Sequence, residues 1–376
     1  MKGLVIWAQI KCRSVMALYR EMAKALEVPL LVPIWHEVPM RKEDIRKEAG
    51  FRKDEFAGIE SIAVGDDFQK GVEILEAHRD WNHLFCVYQA APVFRRLIAE
   101  AKKRCGKVGV MSEAPCNMDN GLRGLAKEVY LRFVLKRRLH DATDNADFYV
   151  NYSGNDAKYL QAIGWDLTKV ISFGYFPPPI EGSQFAERNP ASNDFLILSS
   201  GIMTWHRGVD VLVEALRLLL DRRIPYRAVI TQKGPLLKSV REKAQRLGLP
   251  IEFPGFVAMP ELIRLYETCS VYVGAGRHEP WGMRLNDALN CGAPLVVSTG
   301  MGGVKMVDDY ACGASFAAGD AQGLADALEK MIVDRGHYAR VLANTREAAA
   351  QVAPEVQARL LVQAIEKKCP GWLGKD

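Results

Sequence analysis

Gly274-Ala-Gly-Arg-His-Glu-Pro-Trp-Gly-Met-Arg-Leu-Asn-Asp-Ala-Leu-Asn-Cys-Gly-Ala-Pro-Leu-Val-Val-Ser298 is the stretch from which the rest of the chain becomes readable. A short apolar run, Val271–Val273, leads into it, and a second, Pro294–Ser298, closes it. Between them the pattern predicts a loop through Glu279 and a helix over 283–291, hence a strand–loop–helix–strand unit. The first N–H groups of such a helix, at Gly282, Met283 and Arg284, have no intrahelical acceptor and make a ready anion site. Glu279 and Trp281 stand in the loop beside it, and an acid there can accept hydrogen bonds from sugar hydroxyls. Asp287, eight positions after Glu279, supplies a second carboxylate about one turn into the helix. Acids facing hydroxyl pairs, next to N–H groups facing phosphate, suit a nucleotide-diphosphate sugar.

The same alternation extends outward in both directions. In the C-terminal half the pattern predicts strands at Phe195–Ser199, Ala228–Thr231, Ile251–Phe253 and Gly313–Phe316, with helices over 208–221, 236–247, 260–268 and 321–332. In the N-terminal half it predicts strands at Gly3–Ala8, Leu30–Ile34, Leu84–Tyr88, Val108–Met111, Phe148–Tyr152 and Val170–Gly174. Helices are expected between them over 15–26, 68–79, 91–104, 121–140 and 154–163. Pro177-Pro178-Pro179 cannot continue a helix or a central strand, so it interrupts the alternation. The 376 residues are too many for one ordinary core and divide into a domain over 1–178, a linker over 179–194, a domain over 195–350 and a tail over 351–376. This is an α/β chain with two parallel sheets, and such open sheets bind ligands at their carboxyl edges.

Two more segments belong with the Glu279 stretch. Ser199-Ser-Gly-Ile-Met-Thr-Trp-His-Arg-Gly-Val-Asp-Val-Leu-Val-Glu-Ala-Leu216 reads as a strand end, a turn through Gly201 and a helix from Gly208, with Arg207 at its start. Phe253-Pro-Gly-Phe-Val-Ala-Met-Pro-Glu-Leu-Ile-Arg-Leu-Tyr266 reads as a strand, a loop through Val257 and a helix. In this order the three segments resemble the donor domain of retaining GT-B glycosyltransferases of family 4 (group 1), over roughly residues 195–335. The resemblance implies two Rossmann-like domains facing each other across a cleft, with a C-terminal helix crossing back to the N-terminal domain. It also implies a Glu, here Glu279, on the donor sugar, and a second acid, here Asp287 in place of the family's Glu, on the ribose. Arg207-Gly208 takes the place of the family's phosphate-gripping Lys-Gly pair, and Ile202 stands where the family carries an upstream Arg. Val257 lies in the loop that hands backbone groups to the base.

The activity so implied is transfer of a hexose-type sugar from a UDP- or GDP-sugar to a saccharide or lipid-linked saccharide, with retention at the anomeric carbon. Glu279 and Arg207 are the expected catalytic residues, and replacing either is expected to leave folding nearly unchanged because both lie on loops. No Asp-x-Asp motif is present, so neither a metal nor another cofactor is expected. A nucleotide-sugar epimerase shares the double-sheet architecture, and a sugar-nucleotide-binding protein without turnover would fit Asp287 and Ile202. Both stay open at this point.

The N-terminal half offers fewer signals. Trp7-Ala-Gln-Ile-Lys-Cys-Arg-Ser14 lacks the glycine turn common in the family, leaving Arg13 and Ser14, at the start of a helix, as acceptor-side candidates. Glu113 follows the Val108–Met111 strand, placed either to orient an acceptor hydroxyl or as a local cap. Twelve Lys/Arg against four Asp/Glu between Ala91 and His140 account for more than the whole net charge of +5. The predicted helix over 121–140 carries Leu122, Leu125, Val129 and Phe133 beside Lys127, Arg132, Lys136, Arg137 and Arg138. That face either covers the sheet or rests on an anionic membrane. No nucleic-acid motif is present, and the eight cysteines form no C-x-x-C pair. These features point to a reduced, cytoplasmic protein, peripheral to a membrane at most.

Overall fold

The computed structural model describes residues 2–9, 13–36, 59–86, 89, 91–117, 119, 121–154 and 157–372, with Arg13 and Ser14 as backbone only. The chain forms two compact units, one of Met1–Pro178 with Ala353–Asp376 and one of Pro179–Val352.

The first unit runs β1 (Leu4–Trp7), α1 (Arg13–Leu26), β2 (Leu30–Ile34), β3 (Glu60–Ala63), α2 (Phe68–Ala77), β4 (Asn82–Cys86), α3 (Pro92–Arg104), β5 (Val108–Ser112), α4 (Gly121–Val129), a π-helical segment (Tyr130–Leu135), α5 (Lys136–Asn145), β6 (Phe148–Asn151), α6 (Ala157–Ala162) and β7 (Val170–Ser172). All seven strands are parallel, in the order β3-β2-β1-β4-β5-β6-β7. Helices cover both faces, which is why β1, β5 and β6 are buried at every position and read as unbroken apolar runs. Asp67 starts α2 by accepting from the Lys70 N–H at 3.0 Å, and Pro92 starts α3, where its missing N–H costs nothing.

The second unit runs β8 (Leu196–Ser200), α7 (Val209–Asp221), β9 (Arg227–Thr231), α8 (Leu237–Arg246), β10 (Ile251–Gly255), α9 (Met259–Thr268), β11 (Val271–Gly274), α10 (Met283–Asn290), β12 (Leu295–Ser298), α11 (Val304–Tyr310), β13 (Gly313–Phe316), α12 (Ala321–Val333) and α13 (Arg335–Gln351). Its six parallel strands follow the order β10-β9-β8-β11-β12-β13 around a core that includes Ile197, Leu212, Leu216, Val271 and Leu324. Residues 179–194 lie on this unit, where Arg188 donates to the carbonyls of Cys269, Tyr266 and Cys291. The last helix, α14 (Pro354–Lys368), returns to the first unit and packs on α1.

Several elements differ from the sequence pattern. The single helix expected over 121–140 is three segments, because the Lys136 N–H reaches back five residues to the Leu131 carbonyl and inserts a π turn. Leu122, Leu125, Val129 and Phe133 are exposed, at 87%, 65%, 51% and 71%, so this stripe does not cover the sheet. Gly124, Leu131, Leu139 and Ala142 are the inward positions instead. β3, α11 and α13 are additional elements. β4 starts two residues before its expected position, and the expected end of that strand, at residues 87–88, lies outside the described residues. Among the described residues no helix is long and apolar enough to cross a membrane.

Candidate functional site

In the second unit the strand order reverses between β8 and β11, so the loops after these neighbouring strands lie side by side at the carboxyl edge. The loop after β8 ends in a 3₁₀ turn, Trp205–Arg207, and Gly208 at φ +68°. A Cβ at Gly208 would stand 1.9 Å from the Ala275 carbonyl oxygen, so only glycine lets the two loops approach. His206 seals them together, its carbonyl accepting from the N–H groups of Arg277 at 2.8 Å and His278 at 3.3 Å.

Across this seam Arg207 Nη1 lies 2.7 Å from Glu279 Oε1. Glu279 is only 9% exposed, and its backbone is clamped against 300–302: its N–H donates to the Gly300 carbonyl and its carbonyl accepts from Gly302 N–H. The two expected catalytic residues are therefore one ion pair. Because the carboxylate is buried and paired, loss of Arg207 is expected to cost stability as well as activity. A second pair braces the first. Arg277 forks onto Asp210 with two 2.7 Å bonds, donates to the Trp205 carbonyl and lies 5.0 Å over the Trp205 ring. Partial burial opposes ionisation of Asp210, but the Arg277 hydrogen bonds and charge outweigh it and hold the carboxyl below its ordinary value. This brace carries no motif, and its only signal in the sequence is a basic residue two positions before Glu279.

The remaining donor-side candidates group around two helix starts. Gly208 precedes α7, and Gly282, at φ +96°, precedes α10; neither helix has a side-chain cap. The first N–H groups of both helices are thus open to an anion. Met283, Arg284 and Asp287 are half-buried along α10, Gly201 follows β8, and half-buried Val257 lies in the loop after β10 beside Phe256, which is 46% exposed. Trp281 is placed differently. Its ring is 1% exposed and its indole N–H donates to Asn286 Oδ1 at 2.8 Å, so the side chain supports the loop from the core and leaves only backbone for a ligand.

The first unit has a cavity of about 600 Å³ at the carboxyl ends of its strands. Gln9 after β1, Gln89 after β4, Glu113 after β5, Tyr152 after β6 and Tyr175 after β7 line it, with Tyr130 from the π segment. Glu113 keeps its place through its carbonyl, which accepts from Tyr149 Oη and Gln89 Nε2, both at 2.8 Å. Its carboxyl hydrogen-bonds Tyr175, and burial raises its pKa more than that bond lowers it, within the limit set by the residue's exposed surface. Tyr152 and Tyr175 stack at 4.6 Å. Arg13 and Ser14 open α1, and their side chains, like Lys11, lie outside the described residues. His83 takes no part, being buried between Trp7 Nε1 and the His78 carbonyl.

Residues 181–348 match the family described as glycosyl transferases group 1. A segment of 159 residues is 28% identical to the GDP-mannose-dependent alpha-(1-6)-phosphatidylinositol dimannoside mannosyltransferase of Mycobacterium tuberculosis, and another of 153 residues is 26% identical to the mannosylfructose-phosphate synthase of Agrobacterium fabrum. These segments span 41% and 38% of this chain, and 41% and 34% of those relatives. Over 98% of this chain and 100% of the other, the structure resembles Anabaena HepE in complex with UDP, with a TM-score of 0.67 and 16% identity. That likeness is one of fold: two Rossmann-like domains of the GT-B type, with a C-terminal helix returning to the first.

Proposed function

We propose that this chain, a GT-B protein whose C-terminal domain belongs to the glycosyl transferases group 1 family, transfers a hexose-type sugar with retention from a nucleotide-diphosphate donor to a glycan or glycolipid. The observation that carries this reading is the Arg207–Glu279 pair, set at the reversal point of a parallel sheet beside two uncapped helix starts. In the proposed site the diphosphate lies against the N–H groups of Val209, Met283 and Arg284, with Arg207 neutralising charge on the leaving phosphate. Glu279 accepts from donor-sugar hydroxyls, Asp287 from the ribose, and backbone near Val257 meets the base. Gly201, Gly208 and Gly282 let backbone approach. Charge developing on the leaving group is met by Arg207 and fixed N–H dipoles, so no metal is required. The departing phosphate then assists removal of the acceptor's proton on the same face of the sugar.

The cavity of the first unit is the proposed acceptor site. Tyrosine rings there offer faces for sugar C–H groups, and Glu113 offers an acceptor for a hydroxyl. The exposed stripe Leu122, Leu125, Val129 and Phe133, among exposed Arg123, Arg132, Lys136, Arg137 and Arg138, supports peripheral contact with an anionic membrane. It therefore favours a lipid-linked acceptor.

The test is a thermal-shift panel of GDP, UDP and ADP with their sugars. GDP-mannose comes first because a matched relative is GDP-mannose-dependent, and UDP-sugars second because HepE was solved with UDP. At 100 times its Kd the right nucleotide stabilises by about 2.7 kcal/mol. No shift with any nucleotide or sugar nucleotide would refute the donor site.

A further inference from the structure

A diphosphate brings two or more negative charges, and in this site Arg207 already shares its charge with Glu279 at 2.7 Å. The position of the family's upstream arginine is held by Ile202, which is 57% exposed and neutral. Arg277 is taken by Asp210 on both arms of its fork. We propose that Arg284 is the second cation of the donor site and grips the diphosphate with its guanidinium. This rests on the donor reading above and assigns the side chain a task beyond the helix-start N–H group.

The geometry supports it in three steps. Arg284 is the second residue of α10 and lies three positions before Asp287, on the same helix face. Its Nη1 stands 3.4 Å from Tyr266 Oη, which is 3.1 Å from Ser200 Oγ; that hydroxyl is in turn 3.1 Å from Tyr272 Oη. Ser200 ends β8 and leads into Gly201, where a Cβ would stand 3.8 Å from Arg207 Nη1. Arg284 and Arg207 therefore border one turn from two sides.

Arg284 is also the under-matched cation of this edge. Among the described residues it has no carboxylate within 4.0 Å, and its one hydrogen bond is the long contact to Tyr266. That bond uses one of the five donors of a guanidinium. Burial holds the Tyr266 and Tyr272 phenols protonated, so neither is a counter-ion. A half-buried arginine with most of its donors unused is a poor contributor to stability and a strong receptor for a bidentate oxyanion. Lys305, on α11, differs, being paired with Asp309.

Isothermal titration of the full chain with GDP, UDP and ADP, and with the corresponding nucleosides, tests the assignment. Arg284→Gln keeps a polar partner for Tyr266, Arg284→Met keeps the length of the stem, and thermal unfolding without ligand checks that each variant is folded. Both variants should weaken the nucleoside diphosphate by about ten- to a hundredfold, the scale of hydrogen bonds to a charged group. Nucleoside affinity should change less than threefold, because the base and ribose contacts remain. Arg284→Lys should recover part of the diphosphate affinity. A purely structural role would weaken nucleoside and diphosphate together, and that result overturns the inference. So does diphosphate binding that is unchanged in both variants while Arg207→Ala weakens it, an outcome that leaves the donor reading standing. A wild-type chain that binds no nucleoside diphosphate overturns both.

Discussion

Replacing Arg207 by alanine should harm both stability and turnover, and the two effects separate in one cycle of variants. The carboxylate of Glu279 is almost enclosed, its side chain 11% exposed, whereas that of Arg207 is 36% exposed. Removing the arginine takes its charge away from a nearly buried carboxylate; removing the glutamate leaves an arginine that can turn to water. Breaking a buried pair costs about 3–5 kcal/mol and an exposed one about 0–1. This pair is enclosed on one side only, so Arg207→Ala should cost about 2 kcal/mol, and Glu279→Ala less than half of that. In a unit of this size about 2 kcal/mol lowers Tm by about 4–8 °C. The double variant should be no less stable than Arg207→Ala alone, since the buried carboxylate goes with its cation. Calorimetry on the three variants reads these differences. Turnover of the donor identified by the thermal-shift panel should fall about a hundredfold or more in each single variant, the scale for removing one preorganised charge. An Arg207→Ala protein with wild-type Tm and wild-type turnover would show that the pair is neither matched in solution nor used.

Gly208→Ala forces a Cβ onto the Ala275 carbonyl at a positive φ, and should lower Tm and turnover together, by about 1–3 kcal/mol for the strained backbone alone; calorimetry checks it. EDTA should leave turnover intact, because Arg207 and the helix-start N–H groups are proposed to meet the leaving-group charge; loss restored by Mn²⁺ or Mg²⁺ would contradict this. Leu125→Ser with Phe133→Ser should release the protein from anionic liposomes in a sedimentation assay while leaving Tm within about 1 °C, because both side chains are exposed. His83 is held neutral by burial, which lowers its pKa to about 4. The unfolded chain, with an ordinary histidine near 6.5, therefore takes up more protons as pH falls, so this contribution is complete above about pH 6.5 and is lost towards pH 4. Between pH 7 and pH 5 the first unit should lose about 2 kcal/mol through His83, a loss that urea titrations of His83→Gln should not show.

The strands were legible wherever helices cover both faces of the sheet, because burial on both sides demands continuous apolar runs such as Leu4–Trp7. β3 was not, since Glu60–Ala63 is an edge strand with three half-buried residues and one exposed. α13 escaped because its inward positions, Tyr338, Val341, Thr345 and Ala348, keep helical spacing without a strong apolar signal. The π turn at Tyr130–Leu135 is a change of hydrogen-bond register that leaves no compositional mark, yet it accompanies the outward placement of Phe133 and the inward placement of Leu131. In the candidate site the acids and glycines could be read from spacing, because a loop between strand and helix restricts what stands there. The pairing of Arg207 with Glu279, and of Arg277 with Asp210, joins segments about seventy positions apart in sequence and depends on which strands are neighbours. The tyrosine-lined cavity likewise gathers the ends of five strands.

The return of α14 to the first unit bears on the order of events during synthesis. Trp372, 1% exposed, meets Phe148 edge-on at 5.8 Å, and its carbonyl accepts from Asn82 of β4. Leu361 and Ile365 are fully buried in the helix that packs on α1. The first unit therefore lacks part of its interior until residues 353–372 have been made, while residues 179–352 are already synthesised and free to fold. A nascent first unit must hold apolar surface on α1 open through that interval. A stop codon near position 353 would be felt by the half of the protein furthest from it in sequence.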